Sequence, residues 1–153
     1  MKESAGLLLF RRRQGAIEVF LVHPGGPFWA TKDLGAWSIP KGELAGAEDR
    51  LSAAHREFSE ETGVMPDRGN ELPLGSVRQR AGKVVHAWAV EGDLDPDLIQ
   101  SNTFTMQWPP GSGLMVEVPE VDRGAWFDLE TAGVKLNPAQ REFLDRLTLL
   151  ATG

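Results

Sequence analysis

Three glutamates, Glu57, Glu60 and Glu61, crowd one turn of a predicted helix in the segment GELAGAEDRLSAAHREFSEETGV, residues 42–64. Carboxylates spaced three and four residues apart on a helix are neighbours, and like charges at that spacing repel. A helix turns about 100° per residue, which places all three side chains within one arc of about 100°. An isolated helix gains nothing from this arrangement. The negative charge of the three glutamates therefore requires a partner outside the segment, and the simplest such partner is a cation.

The apolar residues of the same segment predict how its helix packs. Leu51, Ala54 and Phe58 lie beside the acidic arc and form the face expected to contact a β-sheet. We predict a helix over residues 48–62 that ends at Gly63, because glycine readily adopts the left-handed conformation found after helix C-termini. The acidic arc then borders the buried face, where carboxylates are held in place and remain accessible to a substrate.

Converging carboxylates suit a hard divalent cation. Oxygen ligands are those that Mg²⁺ and Mn²⁺ prefer. The chain has no cysteine, which excludes thiolate metal sites and disulfides, and its 3 histidines show no metal-ligand spacing. One of them, His55, is predicted to face solvent. Arg56 is placed to brace a carboxylate through a charge-assisted hydrogen bond. The alternative is an ordinary solvated acidic face with Arg56 as an ion-pair partner.

The spacing of residues across 42–64 resembles the signature of the Nudix hydrolases. Its defined positions are filled by Gly42, Glu48, Arg56, Glu57, Phe58, Glu60, Glu61, Thr62, Gly63 and Val64. Members of this family use a divalent metal ion to hydrolyse nucleoside diphosphates linked to another group. The resemblance implies an α/β protein, a Nudix-type α/β/α sandwich with a mixed β-sheet between helices. It also implies a single Nudix hydrolase domain over residues 1–153.

The resemblance assigns a role to each matching polar residue. The implied metal ligands are Glu57, Glu60, Glu61 and the Gly42 carbonyl, and the implied cofactor is Mg²⁺, with Mn²⁺ as the alternative. Arg56 resembles the brace for the ligand carboxylates, and Glu57 is also a candidate catalytic base. Glu48 resembles the residue that ties the preceding loop to the helix. The helix dipole alone would also favour an acid there.

An acid from a later loop is a second candidate for the base, or for a further metal ligand. Glu120 precedes Trp126 by six residues, and several Nudix enzymes place a catalytic or metal-binding glutamate at about this distance before such a tryptophan. Glu117 is the rival and Asp122 a weaker one. The alternative is that all three are surface acids of a polar loop.

Three residues are candidates for binding substrate. Lys41 directly precedes the signature, where its charge is placed to contact a phosphate. Phe28 and Trp29 lie in a Gly/Pro loop, and aromatic faces stack on nucleobases; burial as loop anchors is the alternative. The segment WSIPKG, which begins at Trp37, resembles that of the dinucleoside polyphosphate and diphosphoinositol polyphosphate branches of the family. Trp37 itself is predicted to pack in the core.

The rest of the chain is predicted to form short strands and a C-terminal helix. Strands are predicted over residues 3–12, 16–23, 72–80, 83–91 and 124–128, and a helix over 137–150. Loops are predicted over 24–36, 41–47 and 92–103, and at WPPGSG, residues 108–113, because consecutive prolines interrupt regular structure. The last helix is expected to begin with Asn137 as its N-cap and to bury Phe143, Leu147 and Leu150.

Charge and hydropathy narrow the range of partners. A net charge of −6 argues against general binding to duplex nucleic acid or to an anionic membrane. No apolar run approaches the ~20 residues of a membrane span, so we expect a cytoplasmic protein. The expected ligand is a small nucleotide or polyphosphate, with a dinucleoside polyphosphate as first candidate. The alternatives are a nucleoside triphosphate, an inositol pyrophosphate, an RNA 5′ end, or a non-catalytic Nudix module that senses a ligand or binds a protein. No oligomeric state is predicted.

Overall fold

The structure, a computed structural model, describes residues 2–152. The predicted domain ends, Met1 and Gly153, lie outside the described residues. The strands are β1 (Glu3–Arg13), β2 (Ala16–Pro24), β3 (Lys41–Glu43), β4 (Leu72–Arg78), β5 (Val84–Glu91), β6 (Thr103–Gln107), β7 (Met115–Pro119) and β8 (Val121–Asp128). The helices are α1 (Arg50–Thr62), α2 (Leu129–Lys135) and α3 (Glu142–Thr152). Short 3₁₀ turns occupy Arg80–Gly82, Pro96–Leu98 and Pro138–Gln140.

The central sheet has six strands in the order β4-β5-β1-β2-β8, with β3 paired to the start of β1. β1 runs parallel to β5 and antiparallel to β2 and β3, so the sheet is mixed. Residues 4–10 of β1 are all buried, as expected for a strand covered on both faces. The predicted α/β class with a mixed sheet between helices is confirmed. β6 and β7 form a separate two-stranded hairpin.

Successive residues of β1 serve two different cores because side chains alternate across a strand. Leu7 and Leu9 face the core that packs under α1, together with the fully buried Ala54 and Phe58 of that helix. Leu8 and Phe10 belong to the opposite core, which α2 and α3 cover. The predicted apolar face of α1 is confirmed, with Leu51 packing at its margin.

Helix α1 begins two residues later than predicted. The Asp49 carboxylate accepts the backbone N–H of Ser52 at 3.0 Å and is the N-cap, so Glu48 stays in the preceding loop. Gly63 ends the helix as predicted, with φ 77° and its N–H donated to the Ser59 carbonyl at 2.7 Å. The prediction for His55 is wrong. Its side chain is fully buried, because the chain after α1 turns back and places the Glu71 carboxylate 2.8 Å from Nε2.

The other predicted boundaries differ from the observed ones where strand pairing or a side-chain cap sets the end of an element. Residues 41–43 form β3 rather than loop, and β8 starts at Val121 because β2 pairs with it that far. The predicted loops at 92–103 and 108–113 flank and connect the β6–β7 hairpin, whose side chains are exposed or only partly buried. Trp37 is buried, as predicted.

The C-terminal region is divided more finely than the predicted helix over 137–150. Helix α2 precedes it, a 3₁₀ turn follows Asn137, and α3 starts only at Glu142. The Asn137 side chain accepts the Ala139 N–H at 3.0 Å, which closes that turn. Phe143 and Leu147 are buried, whereas Leu150 is 44% exposed. No helix within residues 2–152 has the length and apolar character needed to cross a membrane.

Candidate active site

Arg56 is the centre of a hydrogen-bonded network on the acidic side of α1. Its Nε and Nη2 donate to the two oxygens of Glu48 at 2.8 and 3.0 Å. Its Nη1 donates to Glu57 at 2.8 Å and to Glu60 at 3.1 Å. The guanidinium lowers the pKa of Glu48, and its bonds to Glu48 raise the pKa of Arg56 itself. One arginine thus ties the preceding loop to two of the three helix carboxylates.

Glu57 lies directly over Gly42 of β3. A Cβ built on Gly42 would stand 2.0 Å from the carboxyl carbon and from Oε2 of Glu57. Any side chain at position 42 would therefore displace the carboxylate, and only glycine allows this approach. The Glu57 side chain is 11% exposed. Burial raises its pKa, and the Arg56 charge opposes that effect.

Glu61 is held against the strand that leads into the signature. Its Oε1 accepts the backbone N–H of Lys41 at 3.3 Å. Burial raises the pKa of Glu61 to about 8, although the Lys41 charge acts in the opposite direction. Burial also lowers the pKa of Lys41. A bound cation would favour the charged form of such a carboxylate.

Glu120, the residue after β7, lies near the carboxylates of α1 although it is distant from them in sequence. A cavity of about 120 Å³ is lined by Val22, Pro24, Ser38, Lys41, Glu61, Glu120 and Val121. Burial raises the pKa of Glu120, and the neighbouring Glu60 adds to that effect. The charge of Glu120 also raises the pKa values of Glu57 and Glu61. The fold therefore brings four carboxylates together beside Lys41.

The two rival acids lie elsewhere. Glu117 is exposed on β7, where it pairs with Thr105 of the hairpin. Asp122 is 2.9 Å from Nδ1 of the buried His23, whose Nε2 is 2.6 Å from the Lys32 carbonyl. Asp122 thus takes part in holding the loop after β2. Neither side chain lines the cavity that contains Glu120.

The two aromatic candidates lie in that loop. Phe28 is 55% exposed, and its ring packs edge-on against Trp29 with the centroids 5.0 Å apart. The Lys32 ammonium stands 3.9 Å from the Phe28 ring centroid. The loop leaves β2 next to Glu120, because the Gly25 N–H donates to the Glu120 carbonyl at 2.9 Å. The loop that carries Phe28 and the partly exposed Trp29 therefore begins beside the backbone of Glu120.

The chemistry of these donors fits a divalent metal ion. Arg56 and the Lys41 N–H each use one oxygen of the carboxylates that they contact. Within residues 2–152, the second oxygens of Glu57, Glu60 and Glu61 accept no hydrogen bond from the protein. No three acidic or histidine side chains of the described residues already form a complete metal site. A metal ion would have to draw the oxygens closer together.

Comparison with protein families identifies the fold family. The sequence profile of the NUDIX domain matches residues 2–147. The chain belongs to the Nudix family. The match extends well beyond residues 42–64, which carried the resemblance in the sequence, and reaches α3. The predicted family is thereby confirmed.

One curated relative of this Nudix chain is a Myxococcus xanthus protein named octanoyltransferase. The two sequences are 34% identical over 116 residues. The matched region is 74% of this chain and 29% of the relative, so the chain spans less than a third of that protein's length.

Solved structures with the same fold include a C. elegans Ap4A hydrolase in a binary complex. It superposes with a TM-score of 0.69 at 22% identity, over 100% of this chain and 99% of that chain. The NUDIX domain of Shewanella oneidensis NrtR, complexed with ADP ribose, gives a TM-score of 0.65 at 17% identity, over 97% and 87% of the two chains. These superpositions show a shared fold.

Proposed function

We propose that this Nudix chain is a divalent-metal-dependent hydrolase of a pyrophosphate bond in a nucleoside-diphosphate-linked small molecule. The observation that supports this proposal is the convergence of Glu57, Glu60, Glu61 and Glu120 beside Lys41. All the carboxylates implied by the family signature are present and partly or fully buried. A non-catalytic sensing module would have no need to retain such a costly cluster of like charges.

The residues proposed to hold the cofactor, Mg²⁺ or alternatively Mn²⁺, are Glu57, Glu60, Glu61, Glu120 and the Gly42 carbonyl. When bound, such an ion lowers the pKa of a water molecule and neutralises charge on phosphate oxygens. Arg56 orients Glu57 and Glu60 by holding one oxygen of each, which leaves the other oxygen free to bind elsewhere. Gly42 leaves room for the Glu57 carboxylate.

Glu120 is proposed to accept the proton of the attacking water. Burial and the nearby Glu60 raise the pKa of Glu120, and a carboxyl group with a raised pKa holds a proton more firmly than an ordinary carboxylate. Glu57 is the alternative base, but its pKa is held down in part by Arg56. The Lys41 ammonium is proposed to bind a substrate phosphate at the mouth of the cavity.

A dinucleoside polyphosphate is the proposed substrate. The segment from Trp37 to Gly42 resembles that branch of the family, and the fold is similar to that of the C. elegans Ap4A hydrolase. Phe28 and Trp29 are proposed to stack on a nucleobase, because Phe28 is largely exposed and its loop starts beside Glu120. We also propose that the chain acts as one Nudix domain in the cytoplasm, since a chain without cysteine suits a reducing compartment.

A hydrolysis screen tests the proposed function. The purified protein is incubated with Mg²⁺ and with dinucleoside polyphosphates, nucleoside triphosphates, nucleotide sugars, inositol pyrophosphates or 5′-triphosphate RNA, and the products are separated by ion-exchange chromatography. The triple variant with Gln at Glu57, Glu60 and Glu61 is the control. We expect metal-dependent cleavage of a dinucleoside polyphosphate by the wild type alone. Binding of these compounds without cleavage would contradict the enzyme proposal.

A further inference from the structure

The β6–β7 hairpin is attached to the rest of the protein by a short series of backbone hydrogen bonds at its base. Asn102, just before β6, donates its N–H to the Glu60 carbonyl at 2.9 Å. The Asn102 carbonyl accepts the N–H of Glu120, just after β7, at 2.8 Å. The Glu120 carbonyl in turn accepts the Gly25 N–H at 2.9 Å. The backbone of Glu120 is therefore linked to the end of α1 and to the end of β2.

Gly25 directly follows β2 and contacts the base of the hairpin. A Cβ built on Gly25 would stand 2.0 Å from the Pro119 carbonyl oxygen. Glycine is thus required for β2 to approach the Pro119–Glu120 peptide. The position of Glu120 depends on close backbone packing as well as on hydrogen bonds.

The Ser101 hydroxyl completes the base of the hairpin. Its Oγ donates to the Asn102 carbonyl at 2.8 Å and accepts the Val121 N–H at 3.0 Å. Val121 is 6% exposed and lies opposite Pro24, at a shift in the β2–β8 register. A buried N–H requires an acceptor, and here a side chain supplies it.

These contacts hold the chain on both sides of Glu120. The N–H of Glu120 is bound by the Asn102 carbonyl, and the N–H of the next residue is bound by the Ser101 hydroxyl. Because the same hydroxyl also binds the Asn102 carbonyl, one side chain joins both contacts. Without it, the Val121 N–H would lose its acceptor, and the peptide between Glu120 and Val121 would be held only by the bond from the Gly25 N–H to the Glu120 carbonyl.

We propose that Ser101 is a positioning residue for Glu120. Its hydroxyl holds the hairpin base closed and thereby determines where the Glu120 carboxylate stands relative to Glu60 and Glu61. This role rests on the proposed function of Glu120 in proton transfer or metal binding. Ser101 acts through the backbone and needs no contact with substrate.

Steady-state kinetics of three serine variants test this role. Ser101→Ala removes both hydrogen bonds, whereas Ser101→Thr keeps the hydroxyl. Ser112→Ala is the matched control, because the Ser112 Oγ accepts the Leu114 N–H at 3.1 Å at the opposite end of the same hairpin. Small displacements of a catalytic group cost up to about 10²-fold in rate, so we expect Ser101→Ala to lower kcat by about tenfold or more. KM should stay nearly constant, and Ser101→Thr and Ser112→Ala should retain most of the wild-type kcat.

Amide hydrogen exchange, followed by NMR, tests the same contact without relying on activity. In Ser101→Ala the Val121 N–H should exchange faster than in the wild type, and in Ser101→Thr it should stay protected. If the wild-type protein hydrolyses nothing in the screen, the proposed function fails, whereas the hydrogen-bonding role of Ser101 is still decided by exchange. Circular dichroism establishes that each variant is folded.

Two results would overturn the positioning role. One is a wild-type kcat in a folded Ser101→Ala protein, and the other is an equal loss of kcat in Ser101→Ala and Ser112→Ala. Should Ser101→Ala fail to fold, Ser101→Cys replaces it, because a thiol is a weaker hydrogen-bonding group. A kcat of Ser101→Cys below that of the wild type supports the role, and a wild-type kcat contradicts it.

Discussion

Helix α1 and the β6–β7 hairpin both deliver carboxylates to one cavity, but they hold them by different means. The three glutamates of α1 share one face through the helical repeat, and Arg56, which lies within the same turns, binds Glu57 and Glu60. Glu120 is positioned by residues from three distant parts of the chain: Gly25, Glu60 and Asn102. The shared face of the first arrangement is local, because it follows from the helical repeat. The second exists only in the folded protein.

Packing separates these two regions further. α1 is anchored by Ala53, Ala54 and Phe58, which are fully buried under the sheet. The hairpin pairs only with itself and leaves Leu114 and Met115 more than half exposed. A carboxylate on α1 is therefore supported by a large apolar interface, whereas Glu120 depends on a few hydrogen bonds and on the close approach of Gly25 to Pro119. We therefore predict that substitutions far from the site displace Glu120 more readily than they displace the carboxylates of α1.

The largest loss of activity is expected from the α1 carboxylates. Glu60→Gln or Glu61→Gln should lower kcat by about 10³-fold, the upper range for loss of one electrostatic partner of the transition state. The fold should be intact, and the metal-free variants should be at least as stable as the wild type, because Glu60→Gln relieves carboxylate repulsion and Glu61→Gln replaces a buried titratable group by a neutral amide. Steady-state kinetics at saturating Mg²⁺ and thermal melts measure both effects. Glu130→Gln on the exposed part of α2 is the control, and wild-type turnover by either site variant would refute the ligand assignment.

The hairpin acid should show a smaller effect that discriminates between two neighbouring residues. Glu120→Gln should lower kcat by roughly 10²-fold, the usual scale for loss of a general base. Glu117→Gln should have little effect, because that side chain is exposed and outside the cavity. Kinetics on the best substrate of the screen provide the comparison. If Glu117→Gln is the impaired variant, the roles are exchanged; if both are normal, Glu57 becomes the preferred base.

Gly42→Ala tests the support beneath Glu57 without removing a charge. The new methyl group would collide with the Glu57 carboxylate, so we expect a loss in kcat/KM of roughly tenfold from misplacement. Gly133→Ala in α2 is the matched control, because a Cβ there meets no atom within 4 Å. Equal activity of the two variants would show that the position of Glu57 is unimportant.

Metal binding should affect stability rather than rate, as a shift in melting temperature. At a metal concentration about 100 times the dissociation constant, a ligand of the native state adds about 2.7 kcal/mol to the free energy of unfolding. For a chain of this size that corresponds to a rise of about 5–10 °C. The triple Gln variant at Glu57, Glu60 and Glu61 should lose the rise, as measured by calorimetry in Mg²⁺ or Mn²⁺. The same shift in wild type and triple variant would place the metal elsewhere.

Much of the α1 region could be predicted from sequence because its determinants are close together along the chain. The repeat of a helix fixes which residues share a face, so the shared arc of Glu57, Glu60 and Glu61 and the buried face with Phe58 follow from spacing alone. The stop at Gly63 follows from backbone conformation. The start was less predictable, since two acids are adjacent there: Asp49 accepts the Ser52 N–H and forms the cap, whereas Glu48 accepts the Ala45 N–H in the preceding loop.

Predictions were incomplete or wrong where a residue's surroundings come from distant segments. The sequence predicts a solvent-facing His55 because nothing near it in sequence indicates that Glu71 covers it. The β6–β7 hairpin is not among the predicted elements, although TFTMQ, residues 103–107, alternates polar and apolar side chains; its two strands have 5 residues each, and none of their side chains is fully buried.

By itself, the sequence determined the family, the mixed α/β architecture and the acidic arc of α1, because these depend on residue type and on the short-range geometry of helix and strand. Only the tertiary structure decided that Glu120 lies beside the carboxylates of α1, whereas Glu117 lies outside the cavity. Both acids lie in the same polar segment, three residues apart. The choice between them depends on where β7 ends and on hydrogen bonds to Asn102 and Gly25, which form only when chain segments far apart in sequence come together.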